Sequence, residues 1–269
     1  MSRLSMNSIT CRGFSIRQLV DAAVAADVRW IAPWRDLLLE DGALSAGRMI
    51  RDSGLGVSSL CRGGMFTAAD EAGRRAAVAD NLRAIDEASA LGAGTLVLVC
   101  GPVVGRDLHG SVSMVRDGIA QIIGHAVAAG IRLGIEPLHP MMASSRSCVT
   151  TLRQALDIAD ALDSTQVGVI VDAYHVWSDP HLEEQRERAH NRVLGFHVSD
   201  WVTPIQHELE SRAMPGRGSI DLDRIKGFTD AAGWNGPIEV EVLSQYWWGQ
   251  GPEKSFIEAV DSYRNLGWD

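Results

Sequence analysis

The chain has 269 residues, 46% of them hydrophobic and 22% charged, which excludes a disordered segment and suits one large α/β domain. Its 25 Lys and Arg residues against 34 Asp and Glu residues give a formal net charge of −9, which argues against nucleic acid as a partner. The apolar runs are too short for a membrane span, which needs about 18 residues.

The cysteines and the N-terminal residues indicate the cellular compartment of the protein. Cys11, Cys61, Cys100 and Cys148 are scattered without any paired spacing, as is typical of reduced thiols. The first residues lack the apolar core of a signal peptide. We therefore expect a cytoplasmic protein, and the sequence is compatible with a homo-oligomer.

Short β-rich runs alternate with longer runs of helical periodicity along the whole chain. The predicted strands are 4–9, 28–32, 56–60, 95–99, 133–136, 167–171, 194–198 and 238–243. The predicted helices are 15–26, 45–53, 70–91, 112–129, 151–162, 180–190, 221–232 and 252–263. Ser15 and Gly130 stand where an N-cap and a C-cap are expected.

Strict alternation of strands and helices makes the strands parallel, and eight parallel strands can close into a barrel. The sequence therefore predicts an α/β fold, a (β/α)8 TIM barrel that forms a single domain over residues 1–269. A doubly wound open sheet is the alternative, but it usually carries a glycine-rich phosphate loop, and this chain has none. Segment 201–219 is the longest predicted loop, and loops of that length are usually functional.

Four consecutive predicted strands each end in an ionisable side chain. Glu136 ends the fifth strand, and Asp172 follows the sixth. His197 and Glu241 lie near the ends of the seventh and eighth strands. Because the carboxyl ends of barrel strands meet at one mouth, we expect these four side chains to lie together.

A divalent cation explains this grouping. Three carboxylates in one small volume repel one another and raise one another's pKa values unless a cation lies between them. An oxygen-rich set with one imidazole predicts one divalent ion, Mn²⁺ first and Mg²⁺ or Co²⁺ as alternatives. Glu239 faces the same side of its strand as Glu241. Glu241 is the predicted ligand, while Glu239 either supports the site from behind or faces the bottom of the barrel.

Several segments resemble the sugar phosphate isomerase/epimerase family of xylose-isomerase-like TIM barrels, and the resemblance extends from the first predicted strand to the eighth. The segments are Ile31-Ala32-Pro33-Trp34-Arg35-Asp36, Leu60-Cys61-Arg62-Gly63-Gly64-Met65, Ile135-Glu136-Pro137-Leu138-His139-Pro140, Val171-Asp172-Ala173-Tyr174-His175, Phe196-His197-Val198-Ser199-Asp200 and Ile238-Glu239-Val240-Glu241. The resemblance implies that Glu136, Asp172, His197 and Glu241 bind the metal ion, and that Glu136 and Glu241 are also the catalytic acid/base pair.

The implied activity is isomerisation or epimerisation of a keto-sugar or keto-polyol through a cis-enediolate. One carboxylate removes a proton next to the metal-polarised carbonyl, and the other returns it to the opposite face or to the neighbouring carbon. The same intermediate can expel a group β to the carbonyl. A metal-dependent lyase or dehydratase acting on a keto-sugar, keto-inositol or keto-glycoside is therefore the alternative.

Further side chains are predicted to bind this small carbohydrate substrate: His175, His139, Arg217, Trp34 and Arg62. His175 resembles the family's substrate-contacting histidine, and the alternative is a histidine that supports the ligands or caps a loop. His139 either donates to a substrate oxygen or fixes the loop 137–140. A tryptophan offers a flat surface to sugar C–H faces, and an arginine suits a carboxylate or phosphate. Arg35 and Trp177 are weaker candidates of the same two kinds.

Three observations bear on other activities. Some ketose epimerases of the family carry an arginine six residues after the metal-binding histidine, where this chain has Thr203, which disfavours a close ketohexose epimerase. Apurinic endonucleases of the same barrel family hold three zinc ions with additional histidines, and the third and fourth strands here end without one. A non-enzymatic binding module has no need for all four ligand types.

Overall fold

Short parallel strands and helices alternate in the computed structural model, which describes residues 2–268. The strands are β1 (Leu4–Asn7), β2 (Trp30–Ala32), β3 (Gly56–Val57), β4 (Leu60–Gly64), β5 (Thr95–Val99), β6 (Arg132–Glu136), β7 (Val167–Asp172), β8 (Val193–Val198), β9 (Asp200–Trp201), β10 (Arg212–Ala213) and β11 (Ile238–Val240). The α-helices are α1 (Ile16–Ala25), α2 (Ala43–Asp52), α3 (Glu71–Leu91), α4 (Leu108–Ala129), α5 (Leu152–Leu162), α6 (Ala173–Val176), α7 (Arg186–Ala189), α8 (Leu222–Ala231), α9 (Gln245–Gly249) and α10 (Pro252–Arg264). The end residues of the predicted domain, Met1 and Asp269, lie outside the described residues.

A nine-stranded parallel sheet in the order β3-β2-β1-β11-β8-β7-β6-β5-β4 curves into a nearly closed barrel. Helices cover its outside, with α3 against β4 and α5 against β7. This arrangement confirms the predicted single-domain TIM barrel. It also makes β6, β7, β8 and β11 neighbours, so their carboxyl ends share one side of the mouth.

The third barrel strand is broken into two pieces, β3 and β4, where one strand over 56–60 was expected. β3 pairs with β2, whereas β4 pairs with β5 and extends to Gly64. A single parallel bridge between Trp34 and Cys61 spans the seam between the two ends of the sheet. The amide of Cys61 donates to the Pro33 carbonyl there at 3.3 Å. The seam therefore brings Trp34 and Cys61 to the barrel mouth.

The segment 201–219, predicted as an irregular loop, contains part of a small antiparallel hairpin. β9 and β10 pair with Arg212 opposite Trp201 and Ala213 opposite Asp200. The Asp200 carboxylate fixes the hairpin base, since it accepts hydrogen bonds from the amides of Gly218 and Ile220, each at 2.9 Å. The hairpin thus returns the chain towards the barrel mouth.

Apolar side chains from four barrel strands form a small buried cluster: Cys61, Val97, Ile170 and Leu194. Ile170 of β7 lies beside two glycines on the flanking strands, Gly134 and Gly195. A Cβ atom added to these glycines would lie 2.5 Å and 2.9 Å from the Cδ1 atom of Ile170. Small residues on the neighbouring strands therefore make room for the branched side chain, as barrel interiors require.

The helix ends follow the predicted caps. Ser15 and Gln18 form a capping box at the start of α1, in which each side chain accepts from the backbone amide of the other residue. Gly130 ends α4 in the left-handed conformation, with a φ of 71°. Within residues 2–268, no helix is both long enough and apolar enough to cross a bilayer.

Candidate metal centre

The four predicted ligands meet at the barrel mouth. Glu136 and Asp172 are the last residues of β6 and β7, His197 lies in β8, and Glu241 directly follows β11. All four are buried, and each contributes one ligand atom to a cluster whose atoms lie within 4.8 Å of one another. The strand register explains the grouping, since Asp172 is paired with His197 across β7 and β8.

Several polar atoms of this cluster are buried without a hydrogen-bond partner, namely Glu136 Oε1 and both ring nitrogens of His197. His197 Nδ1 lies 3.1 Å from Glu136 Oε1 and 3.8 Å from Glu241 Oε2. Buried polar atoms are normally satisfied, and a divalent ion held at this point would satisfy Glu136 Oε1 and His197 Nδ1, while His197 Nε2 faces Glu239 at 3.3 Å. The residues present therefore fit the predicted cation.

Glu239 lies on the opposite side of His197 from the cluster. Its Oε2 atom is 3.3 Å from His197 Nε2. The Asn7 side-chain amide donates to Glu241 at 3.1 Å and to Glu239 at 3.4 Å. Of the two roles considered for Glu239, the structure favours support from behind, because a carboxylate on the outer nitrogen of a metal-binding histidine fixes its orientation.

Arg212 is a buried residue of this site that the sequence did not reveal. Its Nη1 atom donates to Asp172 Oδ2 at 2.9 Å and to Glu241 Oε2 at 3.3 Å. Its Nη2 atom lies 3.0 Å from His175 Nε2, and the guanidinium covers the ring of Tyr174 at 4.4 Å. Its Nε atom is buried and has no partner.

Sequence patterns did not single out Arg212, because it lies in the long loop, well beyond Thr203, where some ketose epimerases carry an arginine. The hairpin β9–β10 brings it back to the mouth, where the Arg212 amide donates to the Leu243 carbonyl at 3.0 Å and its side chain bonds Asp172, both distant in sequence. The length of the predicted loop 201–219, which is typical of a functional segment, was the one indication in the sequence.

Burial and mutual charge set the protonation of the cluster. Burial raises the pKa values of Asp172 and Glu241, and the positive charges of Arg212 and His197 oppose this rise. For His197, burial acts to lower the pKa, but the surrounding carboxylates, led by Glu239, outweigh it and hold the pKa well above its usual value. The cluster thus attracts positive charge strongly, as a cation site does.

The two predicted histidines take different places. His175 is buried in the cavity wall, and burial together with the Arg212 charge holds its pKa well below the usual value. Its Nδ1 atom accepts a hydrogen bond from the His139 amide at 3.2 Å. His139 lies behind it, with its ring 5.0 Å from that of Trp201 and its Nε2 atom 3.2 Å from Ser178 Oγ.

A cavity opens in front of the cluster, and it includes three of the predicted substrate-binding residues, His175, Trp34 and Arg62. Its lining consists of Trp34, Cys61, Arg62, Val99, Glu136, Leu138, Arg146, His175, Leu209, Arg212, Glu241 and Leu243. The space between them is about 30 Å³, which is room for an ion or a water molecule.

The structure does not bring the remaining candidates into this cavity. Arg217 is exposed and donates to Glu258 of α10 at 3.0 Å. Arg35 forms ion pairs with Asp80 and Glu87 of α3. Trp177 packs its ring 5.3 Å from that of Trp201. The Arg217 side chain is therefore paired with α10 and not with the predicted metal ligands.

Comparison with known proteins defines the class to which this barrel and its cluster belong. A model of the xylose isomerase-like TIM barrel family matches residues 20–266, and the chain belongs to this family. This finding confirms the resemblance recognised in the sequence.

Individual relatives have several activities. The chain is 30% identical over 182 residues to the 3-dehydroshikimate dehydratase of Pseudomonas aeruginosa, an alignment that covers 64% of this chain and 26% of the dehydratase. It is 26% identical over 137 residues to the inosose isomerase of Bacillus velezensis, covering 49% of this chain and 47% of the isomerase. The chain thus spans about a quarter and about half of the lengths of these curated relatives.

Solved structures share the whole fold. Protein SMc04130 from Sinorhizobium meliloti 1021 superposes with a TM-score of 0.93 at 44% identity, covering 97% of each chain. The IOLI protein with a binding zinc atom superposes with a TM-score of 0.87 at 17% identity, covering 99% of this chain and 98% of that one.

Proposed function

We propose that this protein is a divalent-metal-dependent isomerase or epimerase of a keto-sugar or keto-polyol. The observation that carries the proposal is the buried cluster of Glu136, Asp172, His197 and Glu241, whose ligand atoms lie within 4.8 Å of one another beside a cavity. Its relatives include inosose isomerases, which fits an activity of this kind.

The four cluster residues would hold the cation, with Mn²⁺ the ion expected for an oxygen-rich set. The bound ion would polarise the substrate carbonyl and so acidify the neighbouring C–H bond. Arg212 would keep Asp172 and Glu241 in position through its two hydrogen bonds.

Glu136 and Glu241 would move the proton. Both line the cavity, on strands separated by β7 and β8 in the sheet. One carboxylate takes the proton next to the carbonyl and leaves an enediolate. The other returns a proton to the opposite face or to the neighbouring carbon. Burial raises the pKa of Glu241, which makes this carboxylate a better proton acceptor than an exposed one.

His175 and Trp34 would orient the substrate. His175 presents a neutral imidazole to the cavity, since burial holds its pKa well below the usual value. Trp34 contributes a flat apolar wall at the seam of the barrel, against which the C–H face of a sugar can pack.

A lyase is the second candidate, and the similarity to 3-dehydroshikimate dehydratases favours it. The same proton removal gives an enolate, which forms a carbon–carbon double bond when the group β to the carbonyl leaves with its electron pair. A general acid in the cavity would supply the proton that the leaving hydroxyl needs. Both reactions thus share the first step and differ in the fate of the enolate.

The test is incubation of the Mn²⁺-loaded protein in D₂O with a panel of keto-sugars and keto-polyols, followed by NMR. We expect deuterium to enter the carbon next to the carbonyl while the carbon skeleton is kept. An unsaturated ketone as the product would establish the lyase instead. If no ketone of the panel gains deuterium or eliminates, the shared first step is absent and both assignments are wrong.

A further inference from the structure

Two arginines of the mouth cavity have no acceptor among residues 2–268. Arg62 is the third residue of β4, and Arg146 lies in the loop after β6. Both are half-buried, and both line the cavity that contains Glu136 and Glu241. Within residues 2–268, neither side chain has an ion pair or a hydrogen bond.

Among the buried and half-buried arginines of residues 2–268, this lack of partners is confined to the cavity. Every other arginine that is buried or half-buried in the described chain has a carboxylate or carbonyl acceptor: Arg3, Arg35, Arg74, Arg188, Arg192 and Arg212. Nor are acids scarce, because the chain has 34 acidic against 25 basic residues. A half-buried guanidinium without an acceptor loses part of its hydration, and no protein contact offsets this cost in free energy. These two arginines therefore require another explanation.

The metal centre does not carry enough negative charge to neutralise Arg62 and Arg146. The three carboxylate ligands carry −3, and a divalent cation with Arg212 carries +3, so the two balance. Glu239, on the far side of His197, adds one negative charge. At least one of the two positive charges of Arg62 and Arg146 therefore remains uncompensated.

The space beside Arg62 suits a ligand group. A second cavity of about 450 Å³ shares Trp34, Cys61 and Arg62 with the first, and ligand cavities usually measure roughly 300–1,000 Å³. Its acidic residues are Asp36 and Asp80, and neither makes an ion pair with Arg62. Arg62 thus lies between the small space at the ligand cluster and the larger space outside it.

From these observations we propose that Arg62 and Arg146 bind an anionic group of the substrate, a carboxylate or a phosphate. The proposal rests on the proposed function, since it names the class of ketone that reacts: a keto acid or a sugar phosphate in place of a neutral keto-sugar. Guanidinium groups donate paired N–H bonds to the oxygens of either anion. The carbonyl end lies at the metal ligands, and the anionic end lies over the two arginines.

Matched substrates distinguish the two anions. The Mn²⁺-loaded protein in D₂O receives D-fructose 6-phosphate and D-fructose as one pair, and 3-dehydroshikimate and a neutral inosose as the other. We expect one charged member to react at least ten-fold faster, by kcat/KM, than its neutral partner, and the pair in which this occurs identifies phosphate or carboxylate. Neutral members that react as fast as both charged ones would overturn the proposal.

Anion binding without turnover tests the two arginines directly. Inorganic phosphate and acetate are titrated by calorimetry into the Mn²⁺-loaded protein and into its Arg62→Gln and Arg146→Gln variants. We expect affinity for one of the anions to fall roughly ten-fold for each variant, as charged hydrogen bonds do when removed. Arg153→Gln is the control, because Arg153 is exposed on α5, and it should bind as the unmodified protein does.

The Arg62→Lys variant distinguishes a lost anion contact from a folding defect. It keeps the positive charge and should recover part of the anion affinity that Arg62→Gln loses. If both cavity variants bind the anions like the control, the arginines hold no anion and the proposal is wrong, even where neutral ketones exchange deuterium. If no ketone reacts but anion affinity depends on both arginines, the anion site stands and the proposed reaction is wrong.

Discussion

Arg212 carries a positive charge into a buried group of carboxylates, and it compensates the cluster when no cation is bound. Removal of one partner of a buried ion pair leaves the other charges desolvated and unpaired, at about 3–5 kcal/mol. The Arg212→Met variant keeps the apolar bulk and removes the charge. Without metal, we expect its free energy of unfolding to fall by about 3 kcal/mol, as measured by urea titration in EDTA.

Saturating Mn²⁺ should reduce the difference in free energy of unfolding between Arg212→Met and the unmodified protein, because the bound cation then neutralises the charges of Asp172 and Glu241. Arg217→Met is the control, since Arg217 is an exposed residue paired with Glu258 and such pairs contribute about 1 kcal/mol or less. If Arg212→Met lowers the free energy of unfolding equally with and without Mn²⁺, Arg212 and the metal ion do not act on the same charges.

Glu239 and Glu241 differ in what they touch, although they are two residues apart. Glu241→Gln removes a ligand and one of the proposed acid/base groups, so we expect both deuterium exchange and tight Mn²⁺ binding to be lost. Glu239→Gln removes only the carboxylate behind His197, so Mn²⁺ affinity should fall roughly ten-fold to a hundred-fold. Exchange should persist at saturating Mn²⁺. Chelator competition and NMR measure the two effects, and the reverse result would interchange the two roles.

At the scale of elements, Asn81 ties helix α3 to strand β4 beside the barrel seam. Its Oδ1 atom accepts from the Gly64 amide at 2.6 Å, and its Nδ2 atom donates to the Gly64 carbonyl at 2.7 Å. Gly64 has a φ of 103°, and an added Cβ would lie 2.0 Å from the Val99 carbonyl oxygen. A residue with a Cβ atom therefore does not fit at Gly64 without a shift of β5, and the Asn81 side chain supplies a hydrogen-bond partner to both the amide and the carbonyl of Gly64.

The Asn81→Leu variant preserves the size of the side chain but leaves two buried backbone groups without partners, each worth about 1–3 kcal/mol. We expect the free energy of unfolding to fall by about 3 kcal/mol in a urea titration. Arg75→Ala, at an exposed position of the same helix, should change it by less than about 0.5 kcal/mol. Equal effects of the two variants would mean that Asn81 is not the tie between α3 and β4.

At the scale of the whole molecule, the barrel and its helices enclose all four cysteines, which are buried and free. Cys11 has no exposed surface, and burial raises its thiol pKa to about 12. At pH 8 only roughly one molecule in ten thousand then carries the reactive thiolate. We expect iodoacetamide to leave Cys11 unmodified in the folded protein and to modify it fully in guanidinium chloride, as read by mass spectrometry. Modification in the folded protein at the unfolded rate would show that the core around Cys11 opens locally.

The chain determines its fold class and its ligand cluster by local pattern. Glu136, Asp172, His197 and Glu241 each stand at or near the end of a β-rich run, and parallel strands of a barrel carry their carboxyl ends to one mouth whatever the loops do. This is why residues more than a hundred positions apart could be grouped without knowledge of any contact.

Tertiary structure decided what lies around that cluster. Arg212 enters the site because a hairpin folds back over the mouth, and Arg217 is turned towards Glu258 by the same loop. The third barrel strand is divided because β3 pairs with β2 whereas β4 pairs with β5. Residues close together in the sequence determine the periodicity of a strand. The direction of a loop and the partners of a buried charge depend on atoms distant in sequence, and a local sequence pattern contains no information about those atoms.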